Sequence, residues 1–104
     1  MKTIFIGTTP TISYGFQTVT PSDFVSAELS IANEDEEVLL TKPLSEASVK
    51  ETSIEWKLSQ SETLNLGVGT RNIMLNWLTA DGTRGVGKEL QVYMASNQKK
   101  EVMT

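Results

Sequence analysis

Residues 72–78 of this chain read Asn-Ile-Met-Leu-Asn-Trp-Leu, and this stretch decides the fold class. Its large apolar side chains Ile73, Leu75 and Trp77 occupy every second position. Side chains of an extended strand point alternately to its two faces, so these three share one face. The spacing therefore predicts a β-strand with one face buried in a core.

The same alternation recurs along the rest of the chain. The apolar sets are Ile12, Tyr14 and Phe16; Val25, Ala27, Leu29 and Ile31; Ile54, Trp56 and Leu58; and Leu90, Val92 and Met94. Residues 2–6 and 36–41 are predicted as further strands. Many short alternating strands are typical of a β-sandwich. We therefore expect an all-β fold, an antiparallel immunoglobulin-like β-sandwich over residues 1–95, with a polar C-terminal extension over residues 96–104.

One segment departs from this period. Ser59-Gln60-Ser61-Glu62 has the spacing of a capping box, in which the serine hydroxyl and the glutamate carboxylate bond to each other's backbone amides. Gly67 is a helix-ending residue a few positions later. The pattern predicts one short helical turn over residues 59–65 that links the Trp56 strand to the Trp77 strand.

Polar residues and glycines mark the turns between the strands. Residues 33–36 predict a hairpin turn, and Asp81-Gly82 predicts a turn within a longer loop. The two G-x-G sequences, at residues 67–69 and 85–87, are interpreted as turn glycines. Neither follows a strand and opens a helix, as a phosphate-binding loop requires.

Composition excludes several classes of partner. The 104 residues carry a formal net charge of −4 and only scattered basic side chains. Binding to nucleic acids or to anionic membranes requires a basic face, so neither is expected. The absence of cysteine favours synthesis in a reducing compartment. The apolar run at residues 4–6 is too short for a signal peptide, and no stretch is long enough to span a bilayer.

The same composition argues against catalysis and against metal binding. Without histidine or cysteine, the chain lacks the commonest general base, the commonest metal ligand and a thiolate nucleophile. We therefore predict no catalytic residues, no cofactor and no metal site. The acidic run at residues 34–37 is the one candidate cation site. Its four consecutive carboxylates do not have the spacing of a calcium loop, so a solvated turn is expected instead.

Three blocks of sequence resemble a family of small structural proteins of tailed phages and prophages of Gram-positive bacteria. The blocks are Gly7-Thr8-Thr9-Pro10-Thr11, Leu58-Ser59-Gln60-Ser61-Glu62-Thr63-Leu64, and residues 73–82 ending in Leu78-Thr79-Ala80-Asp81-Gly82. The resemblance implies a non-enzymatic virion component that is made in the host cytoplasm. Its partners would be other virion proteins of the tail, baseplate, adaptor or capsid exterior, in a multi-copy assembly.

Two other functions are compatible with the sequence. A carbohydrate- or host-surface-binding module would require solvent-exposed Trp56 or Trp77, whereas alternation places both tryptophans in the core. The second of these functions is that of a small inhibitor or regulator, which would mask a host enzyme with its acidic surface.

The alternating strands use most of the large apolar residues in the core. The apolar residues that remain for contacts with other subunits lie near the two chain ends, together with a segment fixed by proline. The candidate contacts are Ile4, Phe5, Ile6, Thr8, Thr9, Pro10, Val102 and Met103. An alternative for residues 2–6 is an edge strand of the domain itself.

Overall fold

A computed structural model describes all residues from Met1 to Thr104. About half of the chain, 49%, is in strands, as the alternating pattern predicts. The strands are β1 (Lys2–Phe5), β2 (Thr11–Gly15), β3 (Phe24–Ala32), β4 (Val38–Pro43), β5 (Ser48–Val49), β6 (Ser53–Lys57), β7 (Gly69–Thr79), β8 (Arg84–Val86) and β9 (Leu90–Ala95). One α-helix, α1 (Gln60–Leu66), and two 3₁₀ turns, Pro21–Asp23 and Leu44–Glu46, complete the fold.

The strands form two sheets, which confirms the predicted β-sandwich. The large sheet has the order β1-β9-β7-β3-β4, with β8 also paired to β7, and the small sheet has the order β2-β6-β5. Every pairing is antiparallel except β1 with β9, which is parallel. Because β1 and β9 come from opposite ends of the sequence, this pair joins the two ends of the domain in one sheet.

The core lies between the sheets. Trp56 is fully buried there, and its Nε1–H donates a hydrogen bond to the Pro43 carbonyl at 2.9 Å. Trp77 is half-buried at one end of the core, where its ring contacts Phe16 and stacks on Phe24 with ring centroids 5.2 and 5.4 Å apart. The core position predicted for Trp56 is confirmed, and Trp77 packs against the core at its edge.

The register of β3 differs from the simple alternation. The pairing of β3 with β7 shifts between Phe24 and Ser26, so an extra residue is accommodated there. Phe24 consequently points into the core, whereas Val25 is 58% exposed. The prediction that Val25 shares the buried face of Ala27 is wrong for this reason.

The second pair of glycines is not in a turn. Gly85 lies in β8 opposite Trp77, and a Cβ atom at this position would overlap the indole ring. Gly87 follows β8, and a Cβ there would lie 2.9 Å from the Tyr14 ring. Both glycines therefore allow an aromatic ring to lie directly on the backbone. The loop at Asp81-Gly82 is longer than two residues, as predicted, but it ends at Thr83 and does not reach Gly85, because β8 begins at Arg84.

The helical turn is present as predicted. The Ser59 hydroxyl accepts a hydrogen bond from the Glu62 amide at 3.1 Å, and the Glu62 carboxylate accepts one from the Ser59 amide at 2.8 Å. Arg71 donates through Nε to the carbonyl of Leu66, the last residue of α1, at 2.9 Å.

The structure contains no helix with the length and apolar character that a membrane span requires.

Candidate functional site

Two of the residues predicted to make assembly contacts belong to the core instead. Ile4 and Ile6 are 6% and 7% exposed, because β1 pairs with β9 and turns these side chains inward. Residues 2–5 thus form the domain's own edge strand, which is the alternative that the sequence left open. Phe5 points the other way and is 54% exposed, so its assignment as an assembly contact stays a prediction.

The segment at residues 7–10 is a connection between the sheets and not a free arm. Both the backbone amide and the hydroxyl of Thr8 donate to the Phe5 carbonyl, at 3.4 and 2.7 Å. The buried Thr63 hydroxyl accepts from the Gly7 amide at 2.9 Å and donates to the Thr8 carbonyl at 2.8 Å. α1 therefore holds this segment against its own domain. Thr8 and Thr9 are nevertheless exposed and Pro10 is half-buried, so their assignment as assembly contacts stays a prediction.

The C-terminal tail is attached to α1 through its backbone. The side-chain amide of Gln60 donates to the Met103 carbonyl at 3.1 Å and accepts from the Met103 amide at 2.7 Å. Upstream, the Asn97 side chain donates to the Ile6 carbonyl at 3.0 Å. The Val102 and Met103 side chains point outward, with exposures of 46% and 67%, so the tail presents both of them.

The sandwich is open along one side, between β2 of the small sheet and β1 and β9 of the large sheet. A groove of about 330 Å³ lies there. Its apolar lining is Ile4, Ile12, Ile73, Leu90 and Val92, and its polar lining is Lys2, Thr11, Ser13 and Gln91. We call this groove the open side. It combines an apolar floor with a polar rim, as binding pockets commonly do.

The β2 strand has a free backbone edge beside this groove. It ends the small sheet, so only one of its two edges is paired. The Phe16 amide and the Pro10 carbonyl both bond toward the β6 side, at 2.8 and 2.9 Å. Because antiparallel pairing alternates along a strand, Thr11, Ser13 and Gly15 direct their amides and carbonyls outward. These groups can pair with an added strand.

Ionisable groups in the interior are engaged in structural contacts. The Tyr14 hydroxyl donates to the Ile73 carbonyl across the core at 3.1 Å. Burial and the nearby charge of Glu89 raise the pKa of Tyr14 to about 12, so the phenol stays neutral at physiological pH. Lys42 is 7% exposed and bonds to Glu62 and Glu46 at 2.8 and 2.9 Å. None of these groups faces a cavity in which a substrate would react.

The acidic run at residues 34–37 forms part of the β3–β4 turn, as predicted. The Asn33 side-chain oxygen accepts from the Asp35 and Glu37 amides at 2.9 and 3.0 Å. Glu36 adopts a left-handed conformation with φ 64°, which completes the turn. No group of three or more Asp or Glu side chains in the structure is arranged to hold a metal ion.

Comparisons with known proteins show the fold of the chain. No family model matches it, and no curated protein matches it. Among solved structures, CopC from Methylosinus trichosporium OB3b matches with a TM-score of 0.59 and 13% sequence identity, over 94% of this chain and 86% of that chain. CopC also has a sandwich-like β fold. At this identity the likeness is one of fold alone.

The comparisons taken together point away from the predicted function. CopC is a copper-binding periplasmic protein, and no comparison links this chain to phages or to Gram-positive bacteria. The prediction of a phage virion structural protein is therefore wrong. The carbohydrate-binding alternative requires an exposed tryptophan, whereas Trp56 is fully buried and Trp77 is half-buried against Phe16 and Phe24.

The donor set of this chain does not fit copper. Imidazole, thiolate and thioether groups are the side chains that bind copper well, and the chain has no histidine or cysteine. Of its four methionines, Met94 is buried in the core. Met74 lies on the opposite face of the same sheet, because it pairs with Ser30 while its neighbours Ile73 and Leu75 point inward. These two thioethers cannot converge on one ion.

We accordingly expect metal ions to leave the stability of the domain unchanged. An ion that binds the native state must stabilise it by mass action. Melting curves recorded with a chelator, with millimolar calcium, and with copper in either oxidation state should therefore coincide. A rise of several degrees with calcium would contradict the interpretation of residues 34–37 as a solvated turn. A rise with copper would contradict the donor argument.

Proposed function

We propose that this chain is a non-catalytic protein-binding domain that accepts an extended segment of a partner polypeptide on its open side. The added segment pairs with the free edge of β2 and places alternate side chains in the groove. Pairing of backbone groups supplies affinity, and the groove selects side chains. The free β2 edge beside an apolar groove is the observation that carries this proposal.

The chemistry of the groove supports an apolar, extended partner. Ile12 of β2 and Val92 of β9 lie on its two walls, so a side chain inserted between the sheets would contact apolar surface on both sides. The outward Ser13 and Gln91 leave polar groups at the rim. A strand with alternating apolar and polar residues matches this arrangement, because its side chains point alternately inward and outward.

The proposal includes no catalysis and no nucleic-acid partner. The ionisable side chains near the core are hydrogen-bonded to one another or to the backbone, as Tyr14 and Lys42 are. The acidic net charge of −4 is unfavourable for contact with phosphates.

A selection from a library of random extended peptides on the immobilised domain tests this function. We expect selected peptides to alternate apolar and polar residues and to bind Ser13→Pro about tenfold more weakly than the wild type. The substitution removes one outward amide and leaves the acceptor on the peptide unpaired. The pairing of β2 with β6 stays intact, because it uses the backbone groups of Ile12 and Tyr14.

Ser13→Ala is the matched control. It removes the same hydroxyl, which contacts Glu55 at 3.5 Å, but keeps the backbone amide. Its affinity for the selected peptides should equal that of the wild type. Equal binding by Ser13→Pro, or selected peptides that shift the amide resonances of another surface and not of β2, would refute the proposal.

A further inference from the structure

A second surface, on the outer face of the large sheet, has the properties of a docking site. It is a depression of about 290 Å³ between the β3–β4 turn and the end of the β8–β9 connection. Val38, Ala32 and Met74 give it an apolar floor, and Glu36 and Glu89 stand at its rim. We call it the acidic depression. It lies on the outer face of the large sheet, opposite the inner face that lines the open side.

The two rim carboxylates have no cationic partner within the domain. The ion pairs of the structure involve Glu46, Glu55, Glu62 and Glu101, and neither Glu36 nor Glu89 takes part. Both residues are exposed. The depression therefore offers two carboxylates without an ion-pair partner beside apolar surface, and a complementary partner would carry positive charge beside apolar side chains.

The chain itself contains a segment of this composition. Lys99 and Lys100 precede Val102 and Met103 in the C-terminal tail. The Lys99 side chain is 54% exposed, and its one ion pair is the long 3.8 Å contact with the exposed Glu101. Gln60 holds the backbone of Met103 while the two apolar side chains remain exposed. The tail is thus presented in a fixed position with its side chains free.

We infer that the acidic depression binds the Lys99–Met103 tail of a second copy of this chain. The tail of the same chain is bonded to α1, and none of its residues lines the depression. In the contact between copies, the lysines face Glu36 and Glu89, and Val102 and Met103 cover the apolar floor. Since the two contacting surfaces differ, a pair of copies is left with one free tail and one free depression, and the contact can repeat from copy to copy.

A charge exchange tests the inference. Sedimentation velocity at low salt should show concentration-dependent association of the wild type, and Lys99→Glu/Lys100→Glu should weaken it at least about tenfold through like-charge repulsion. Glu36→Lys/Glu89→Lys should weaken it similarly. A mixture of the two variants should associate again as a 1:1 complex, because the acidic tail of the first then meets the basic depression of the second.

The controls separate this contact from general charge effects and from the open side. Glu36→Lys/Glu89→Lys brings the formal net charge from −4 to zero, so overall attraction does not explain complex formation in the mixture. Lys50→Glu/Lys57→Glu makes the same charge change on the small sheet and should associate like the wild type. Ser13→Pro should also associate normally, while the charge variants should still bind the peptides selected on the open side.

Three results would overturn the inference. The first is a wild type that stays monomeric at about 1 mM, which corresponds to a binding free energy weaker than about −4 kcal/mol. The second is association that Lys99→Glu/Lys100→Glu leaves unchanged, and the third is a mixture of the two charge variants that stays monomeric. Thermal melts of each variant establish that the domain is folded in every sample.

Discussion

Replacing Trp56 with alanine is expected to lower the free energy of unfolding by about 3–5 kcal/mol, out of the ~5–15 kcal/mol typical of a domain. The ring is fully buried between the two sheets. Its removal leaves a large cavity and also leaves the Pro43 carbonyl without its 2.9 Å hydrogen bond from Nε1. Urea unfolding followed by circular dichroism measures the effect as a lower midpoint at an unchanged slope.

Two variants calibrate this result. Trp56→Phe keeps most of the apolar ring but loses the Nε1–H donor, so its loss of stability should be intermediate. Trp77→Ala should cost less than Trp56→Ala, because Trp77 is only half-buried and packs at the edge of the core. A larger loss for Trp77→Ala than for Trp56→Ala would show that the centre of the core is placed incorrectly.

Alternation predicted the strands well because their pattern is local. A strand with one buried face requires only that every second side chain is apolar, which a single sequence displays. The capping box of α1 was predictable for the same reason, since Ser59 and Glu62 interact across one helical turn. These features depend on residues that are close together in the sequence.

Features that depend on distant residues could not be predicted. Alternation places Val25 inside, but the bulge after Phe24 is set by how β3 pairs with β7. Gly85 and Gly87 look like turn residues, yet the rings of Trp77 and Tyr14 require them. No local signal reports which aromatic ring will lie over which glycine.

The candidate site was missed for a related reason. The sequence indicated that chain ends were available for contacts, but β1 pairs with β9 and buries Ile4 and Ile6. The open side is assembled from β1, β2, β7 and β9, so it exists only once both sheets have formed. One signal was available in the sequence. Pro10 immediately precedes β2, and proline within sheets is typical of edge strands and strand starts.

The likeness to CopC also illustrates why a fold does not assign a function. The two chains share a sandwich at 13% identity, but the present chain lacks the imidazole and thiolate groups that suit copper. Function depends on the side chains placed on a scaffold and not on the scaffold alone. In this chain the distinctive groups are free strand edges and charged surfaces, which are suited to binding polypeptides.

The ion pair between Lys42 and Glu62 is the polar contact whose loss should cost most. Lys42 points inward from the edge strand β4 and is 7% exposed. Burial by itself raises the pKa of the Glu62 carboxyl, but hydrogen bonds from Lys42 and Ser59 outweigh it and hold this pKa below its usual value. Burial likewise lowers the pKa of Lys42, and the bonds to Glu62 and Glu46 raise it by more.

Glu62→Gln is therefore expected to lower the free energy of unfolding at neutral pH by about 1.5–3 kcal/mol, the range for a hydrogen bond to a charged group. Glu46→Gln removes the other partner of Lys42 and serves as the control. Because the Glu46 side chain is 52% exposed, its loss should cost no more than about 1 kcal/mol. Equal losses for the two variants would show that Glu62 has no special part in holding Lys42.

The pH dependence supplies a second, independent readout. A carboxyl whose pKa is lower in the folded state stabilises the fold fully above its unfolded value of 4.5, and this contribution is lost as the pH falls through the folded pKa. The stability difference between wild type and Glu62→Gln should thus be constant at neutral pH and shrink in acid below 4.5. The raised pKa of Lys42 acts oppositely: its contribution is full below 10.5 and is lost as the pH rises through the higher folded value. The urea midpoints of wild type and Glu62→Gln should therefore differ most at neutral pH, between the two transitions. A difference that persists unchanged into acid would mean that the Glu62 charge is not what stabilises the domain.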